Sequence, residues 1–501
     1  MKTTTNQSVH TNQLVQALNC PRRFLYAQSL AQSTILFPLR TEYYEQLEKL
    51  VRPFALISGQ PHDPTQRSLD ILKAETCGRN LRFEKDGLRT NIPFLFEKED
   101  GTYKAIYPYC STSPKESLLN GLVIDTMICQ ACGVDISEHE FVYLNPSYVR
   151  KENSQPADFF KITSHLMKKR GGFNRLSATE QIQQKMSHIR FEQLAQMTQK
   201  LLHSNLDDFC VRRVSACTRP NKCPYYEECF NEQDLPDFAS AFLSSSSSRE
   251  WIEEKGITRL SDITSDLFEG TPMQYAQIKA DQNGGLFMDE QAIRYWIEQI
   301  EYPISYLDFE WETFAIPPYV NMKAFDVLCF QYSIHIEDEQ GQLDHKTFFA
   351  TGDCRKDFID HLLQDIPEQG SIMVFNMEGA EKLRLRQLAN QYPEYRIQLE
   401  QLANRMIDLQ SPFENGCFYD LRQRGKSSLK TLMPLFSSRA SYEQLDIHNG
   451  MEAVFAYRQA LLSKDPDEVA KIGQQISEYC SMDTYAEREL FLGLKKKLEE
   501  L

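Results

Sequence analysis

The chain has 501 residues, 41% of them hydrophobic and 25% charged, which suits two or three domains with substantial cores and excludes a disordered or low-complexity protein. No stretch approaches the roughly 20 apolar residues that cross a bilayer, and Met1 to Gln7 carry one positive charge with no apolar run behind them, so neither a membrane span nor a secretory signal is expected and the cytoplasm is the default location. A formal charge of −15 argues against indiscriminate adhesion to nucleic acid while leaving room for a local basic channel, and 13 cysteines, an odd number, do not read as a secreted disulfide scaffold.

In chain order, residues 8 to 30 read as helix, with Leu14, Leu18, Phe24 and Leu25 along it and Cys20-Pro21-Arg22-Arg23-Phe24 interrupting it. Lys168-Lys169-Arg170-Gly171-Gly172 is one basic cluster, and Arg212, Arg213, Arg219 and Lys222 form a second. Such clusters suit phosphate contacts, although most charge runs are solvated surface. Cys217, Cys223-Pro224 and Cys229 lie within the second cluster. Soft thiolates at this spacing suit zinc or an iron–sulfur centre. The fourth ligand must then come from elsewhere, with Cys20 the first choice and Cys210 the second, whereas a lone cysteine is ordinarily a core residue. Ser244 to Ser248 is the clearest break in composition and reads as a flexible join, followed by a small helical connector over Trp251 to Ile263.

From Tyr302 the pattern turns to strands: Ile304 to Glu310, Val327 to Ile336, and His345 to Ala350, with a turn at Glu339-Gln340-Gly341. A helix around Phe358 to Ile366 leads to a short buried strand, Ser371 to Phe375, and then to helices. Periodicity alone supports an α/β fold. Because strand side chains alternate faces, Asp308 and Glu310 point one way while Leu307 and Phe309 bury on the other. Asn376 and Glu381 follow the later strand, and Tyr479 and Asp483 share one face of a C-terminal helix. Four carboxylates on separate elements, Asp308, Glu310, Glu381 and Asp483, offer hard oxygen ligands to a cation if the fold gathers them. An isolated Asp-x-Glu is more often just the polar face of a half-buried strand.

Asp-x-Glu on a first strand, Asn-(x)4-acid after a later strand and Tyr-(x)3-Asp on a final helix resemble the three exonuclease motifs of the DnaQ-like branch of the ribonuclease H superfamily, in its tyrosine-containing subclass. Tyr302-Pro303, Leu307-Asp308-Phe309-Glu310, Phe330 to His335, Ser428-Leu429-Lys430 with Pro434, Tyr442 with Gly450, and Tyr479-Cys480-x-x-Asp483-Thr484 resemble an uncharacterised bacterial family labelled domain of unknown function 2779. In that family such a domain follows a RecB-like region. The resemblance implies an N-terminal restriction-endonuclease-like (RecB-like) α/β domain over residues 1–235, a linker and small helical connector over 236–300, and a ribonuclease H-like mixed-sheet domain over 301–501. One departure is Glu381, where DnaQ-like enzymes usually carry aspartate.

The implied activity is a 3′ to 5′ exonuclease on DNA or RNA ends, hydrolysing phosphodiesters with two Mg2+ or Mn2+ ions. Asp308 would bridge the ions, Glu310 and Asp483 would complete the first site, Glu381 would act more weakly or through water, and Tyr479 would orient the attacking water. Asn376 could hold the terminal nucleotide, and Arg422, Arg424, Lys426 and Lys430 could meet phosphates. Cys20 before Pro-Arg-Arg, with Cys217, Cys223 and Cys229, is similar to the four-cysteine [4Fe-4S] site of RecB-like nucleases, zinc being the alternative. Similar nucleases also need an aspartate and a Glu-x-Lys. Here Arg89-Thr90-Asn91-Ile92 and Tyr107-Pro108-Tyr109-Cys110-Ser111-Thr112 stand in their places, and neither tyrosine nor proline can replace a carboxylate ligand. That first domain is therefore expected to have lost its catalysis. The competing expectation is a non-catalytic nucleic-acid-binding or scaffold protein with two degenerate nuclease domains.

Overall fold

A computed structural model describes residues 8–29, 39–51, 57–218, 221–264, 268–437 and 441–500; Arg219, read above as part of a basic cluster, lies outside them. The chain divides into two compact units, one comprising Met1–Val211, Arg219–Cys229 and Phe314–Phe325, the other Arg212–Thr218, Phe230–Thr313 and Asp326–Leu501. Among the described residues no helix is long and apolar enough to cross a membrane.

The first unit is built on a six-stranded mixed sheet. Its strand Leu88–Glu97 pairs along one edge with Cys77–Lys85. Along the other edge Val9–His10 takes Leu88 and Arg89, and Tyr103–Tyr109 takes Phe94 to Glu97. Between those two partners, Thr90 to Pro93 have no ladder neighbour on that edge. Proline accounts for part of this, since neither Pro93 nor Pro108 has an amide hydrogen to donate. Pro108 was expected to disturb a central strand. It is accommodated because its strand keeps pairing with Ile136–Leu144 on the far side, while the ladder to Leu88–Glu97 stops at Ile106. The gap opens into a cavity of about 390 Å3 whose lining includes His10, Asn91, Tyr107, Tyr109 and Asp125.

Helix Leu119–Ala131 is apolar almost all round because it is packed on two sides. Ile124 and Ile128 meet the sheet residues Leu81, Phe83 and Leu95, whereas Leu122, Val123 and Met127 meet Phe141 and Ile182.

The second unit carries a five-stranded sheet. Numbered by appearance, its strands are Ile304–Thr313, Val327–Glu337, Leu343–Phe349, Ile372–Val374 and Met406–Asp408, and their spatial order is third, second, first, fourth, fifth. The first three are antiparallel neighbours, and the fourth and fifth run parallel to the first. This mixed order is consistent with a ribonuclease H-like arrangement. Alternation divides the first strand cleanly. Leu307 and Phe309 bury against Phe358, Leu385, Leu388 and Leu399 on one face, while Ile304 and Tyr306 bury against Ala486, Leu490 and Leu494 of the long helix Pro466–Glu499 on the other.

The five-serine run does not behave as a flexible join. Ser246–Glu254 is a helix whose Ile252 packs with Leu243, Leu260, Ile263, Ile278 and Tyr419 of the second unit. Gln277 Oε1 accepts from the Ser244 amide at 2.8 Å, and Gln274 Nε2 donates to Ser248 Oγ at 3.1 Å. Leu286–Met288 pairs with Phe418–Asp420, so the connector is part of the same folded body. Serine hydroxyls bond to nearby backbone and side chains as readily as to water, which is why composition alone misplaced this segment.

His139 gives the first unit a dependence on acid. Its fully buried ring meets Thr126 Oγ1 at 2.9 Å and Thr179 Oγ1 at 3.2 Å, and burial pushes its pKa down to about 4. An imidazole whose folded pKa lies below its unfolded value of about 6.5 stabilises fully above that value and loses the contribution as pH falls toward the folded one. Urea unfolding of the first unit, followed at successive pH values, should therefore show a loss between about pH 6.5 and the folded pKa, amounting to at most about 3 kcal/mol. His139→Gln should flatten that slope.

Candidate active site

The site begins at the first strand of the second unit's sheet. Asp308 and Glu310 project from the face that meets the terminal helix, opposite Ser333 and Gln331 of the neighbouring strand. The register slips between Glu310 and Trp311, and such bulges re-aim side chains at the ends of ladders. The N-terminal end of helix Gly450–Leu462 stands near Glu310, where a Cβ added to Gly450 would lie 3.5 Å from Oε2.

The terminal helix supplies Tyr479 and Asp483 and is fixed to the sheet by polar as well as apolar contacts. Thr484 Oγ1 lies 2.8 Å from His335 Nδ1 and 2.9 Å from Ser333 Oγ, and Arg488 Nη2 donates to Glu337 Oε1 at 2.6 Å. Tyr306 donates to the other oxygen of Glu337 at 3.0 Å. With the helix held there, one ligand atom each from Asp308, Glu310 and Asp483 fall within 4.8 Å of one another. Among the described residues this is the group of three or more potential metal ligands that comes together so closely.

The surroundings divide the roles of these groups. Tyr442 donates to Asp483 Oδ1 at 2.6 Å, and Cys480 Sγ lies 3.1 Å from Asp308 Oδ2. Burial, then the charge of Asp483, push the Asp308 pKa well above the usual carboxylate range. Burial and the charges of Asp308 and Asp483 do the same to Glu310. Burial raises Asp483 as well, opposed by the Tyr442 hydroxyl and the Lys430 ammonium. Tyr479 is itself pushed up by burial and by Asp483, so its phenol stays protonated at neutral pH. Lys430 Nζ reaches the Tyr479 hydroxyl at 3.3 Å and lies over the rings of Tyr442 and Tyr479.

The other residues singled out in the sequence are placed less uniformly. Glu381 opens helix Glu381–Gln391, is 1% exposed, and is raised by burial and by the charge of Asp308. It does not join the 4.8 Å group. Asn376 is exposed in left-handed backbone at φ 63°, and its amide, with those of Met377 and Gln410, is held by Asp408 at 2.9–3.2 Å. Asp408 thus organises the loop that leads to Glu381. Arg422 is tied to Asp420, and Arg424 donates to the carbonyl oxygens of Glu232 and Leu235, so both arginines serve the fold. Lys426 and Lys430 are exposed. Sequence reasoning missed Tyr442 and Cys480 as partners of the acids. It also missed Glu487, which is 1% exposed and whose carboxyl is pushed well up by burial and by the charges of Asp308, Glu381 and Asp483. Its spacing of four after Asp483 was the available signal.

The comparisons with known proteins bear on this unit. A family model described as "Domain of unknown function (DUF2779)" matches residues 305–428. The matched segment holds Asp308, Glu310, Asn376, Glu381 and Asp408 and ends before the terminal helix. No curated protein and no solved structure matches the chain.

The cysteines are not gathered in the same way. Cys20, Cys223 and Cys229 belong to the first unit. There Tyr26 stacks on Tyr225 with centroids 5.5 Å apart and donates to the Glu228 carbonyl oxygen at 3.2 Å, so the helix that follows Cys20 packs on the segment between Cys223 and Cys229. Among the described residues, no three cysteine sulfurs lie within 4.8 Å of one another. A tetrahedral zinc site, with Zn–S of about 2.3 Å, would place its sulfurs roughly 3.8 Å apart.

The acid cluster sets a pH dependence of its own. A carboxyl whose folded pKa lies above its unfolded value contributes stability that is complete below the unfolded pKa and is lost as pH rises through the folded one. The metal-free protein should therefore melt lower at a pH well above the ordinary carboxylate range of about 4 than at one near it. Asp308→Asn should reduce the difference, and added Mn2+ should restore the melting temperature most at the higher pH.

Proposed function

We propose that the second unit is a divalent-metal-dependent phosphodiesterase that removes nucleotides from 3′ ends of DNA or RNA. The observation that carries this reading is the convergence of Asp308, Glu310 and Asp483 on a mixed sheet of ribonuclease H-like order. Tyr479 stands one helical turn before Asp483 in the same pocket. Hard carboxylate oxygens suit Mg2+ or Mn2+, and the close approach of acids that burial drives toward protonation fits a place made for positive charge.

When bound, a pair of such ions supplies Lewis-acid activation of water and stabilises the leaving oxygen. The chain's own groups do the positioning. Tyr479, kept protonated, offers a hydroxyl that orients water beside Asp483 instead of removing its proton. The Tyr442 hydroxyl fixes the rotamer of Asp483, and the Cys480 thiol does the same for Asp308. Lys430, exposed at the rim, takes the phosphate of the terminal nucleotide, with Lys426 farther along the strand and Asn376 at the sugar or base.

The first unit is proposed to be a nuclease-derived, RecB-like domain without catalysis. Its cavity brings together Thr90, Asn91, Tyr107 and Pro108, where similar nucleases hold their acids and lysine, and its one acidic lining residue is Asp125. Cys20, Cys217, Cys223 and Cys229 are proposed ligands of a [4Fe-4S] cluster, with zinc the alternative, on the strength of their resemblance to the four-cysteine site of RecB-like nucleases.

Asp308→Asn and Asp483→Asn should each lower release of nucleotides from an oligonucleotide labelled at its 3′ end by about 10³-fold or more, with folding unchanged by circular dichroism. Equal hydrolysis by wild type and both variants would sink the reading. A chain that holds oligonucleotides equally well with chelator and never shortens them would instead be a binder. For the cysteines, protein purified without oxygen should be brown and contain iron, and Cys223→Ser should bleach it. A colourless preparation with stoichiometric zinc would replace the cluster.

A further inference from the structure

The cavity of the first unit is a break in a sheet, and a sheet that is broken leaves backbone groups to be satisfied. On the edge of Leu88–Glu97 that faces the cavity, Val9–His10 occupies the ladder as far as Arg89, and Tyr103–Tyr109 resumes it at Phe94. The main-chain groups that Thr90 to Pro93 turn toward this edge have no strand beside them. Because the two ladders close the break at both ends, it has no room for a peptide strand of ordinary length, about five or six residues. A guest must be shorter than a strand and still bond along its rim as a strand does.

The side chains around the break narrow the chemistry further. Thr90 donates to Asp125 Oδ1, and burial raises that carboxyl to about 6, so it is chiefly an acceptor at neutral pH. His10 Nδ1 accepts from the Asn12 amide at 3.1 Å, which leaves the proton of the neutral ring on Nε2 as a donor. Burial, then the charge of Arg89, keep this ring below its ordinary value and hence neutral. The Tyr107 hydroxyl oxygen is buried without a hydrogen-bond partner, although its ring packs on Phe141 with centroids 5.9 Å apart. A buried phenol normally has a partner, so this one calls for a group that the chain does not supply. The described residues that line the cavity include no lysine or arginine, which disfavours a phosphate, and one acid, which disfavours a tightly held cation. At about 390 Å3 the cavity is of a size that takes small molecules.

We propose that this cavity binds an uncharged nucleobase, free or as its nucleoside, with the edge of the ring along Thr90 to Pro93. Asp125 accepts from N–H groups of the base, while His10 and Tyr107 donate to its carbonyl oxygen. A carboxylate takes two adjacent N–H donors at once. Guanine presents such a pair and adenine does not, so guanine is the preferred base. Tyr109 and Phe141 add aromatic surface on which a flat ring packs. The site is independent of the acids in the second unit.

The test is isothermal titration calorimetry of the full-length chain with guanosine, with chelator present so that no metal takes part. Wild type is expected to bind guanosine at one site and adenosine at least about tenfold more weakly. Asp125→Asn should weaken guanosine by about tenfold or more, and Tyr107→Phe should weaken it as well. Without ligand, Tyr107→Phe should melt no lower than wild type, because the hydroxyl it removes has no partner to lose. No binding of guanosine would overturn the site, and equal affinity for adenosine would overturn the role of Asp125. Guanosine 5′-monophosphate that binds much more tightly than guanosine would overturn the assignment of an uncharged ligand. If Asp125→Asn does not fold, Tyr107→Phe decides: weakened binding supports the proposal, and unchanged binding overturns it.

Discussion

The site depends on the clamp that holds the terminal helix across the first and second strands of the mixed sheet. Asp308, Glu310 and Asp483 repel one another, and left to their own electrostatics they would separate. What keeps them together is the packing and polar contacts of the helix that carries Asp483. Ala486, Leu490 and Leu494 pack on Ile304 and Tyr306, Thr484 bonds to His335 and Ser333, and Arg488 pairs with Glu337. Packing of this kind is cooperative and rigid, so it can oppose a local conflict among like charges without relaxing it. The helix brings Tyr479, Asp483 and Glu487 along one face at successive turns. A rotation of the helix about its axis would remove all three from the pocket together.

Much of this unit was legible in the sequence because its first strand obeys a strict period of two. Leu307 and Phe309 read as buried on one face, and Asp308 and Glu310 as sharing the other, and the structure has them so. The Tyr479 and Asp483 pair was legible for the analogous helical reason. Convergence was not, since no local pattern says that residue 483 meets residue 308. Glu487 was overlooked although its spacing was as regular as that of Tyr479, because a glutamate on a long, highly charged helix looks like solvated surface until its burial is known. The basic loop around Gly425 failed in the opposite direction. Arg422 and Arg424 looked available for phosphates, but Asp420 and two backbone carbonyls occupy them.

The first unit shows how a broken rule can be informative. Prolines at positions 93 and 108 argue against continuous pairing, and the sheet indeed parts there, yet the strand persists because its other edge remains bonded. The two departures lie opposite each other, so together they make a cavity instead of two isolated defects. Thr90 donates to Asp125 inside it, and burial raises that carboxyl to about 6. A pocket with a single acid offers a divalent cation few ligands. The topology makes the opening, and the residues that face it include a single acid.

A lone buried acid and a cluster of them pose different electrostatic problems. Asp125 is one carboxyl with a hydroxyl donor, and a proton is enough to neutralise it. Around Asp308, burial drives the carboxyls of Glu310, Glu381, Asp483 and Glu487 toward the neutral form, whereas the hydroxyls of Tyr442 and Tyr479 favour the charged form of Asp483. Any charge that these acids keep lies in low dielectric, where attraction to a small cation is strongest. A divalent cation would cancel several of these charges at once, which is the guest the proposed function gives to the pocket.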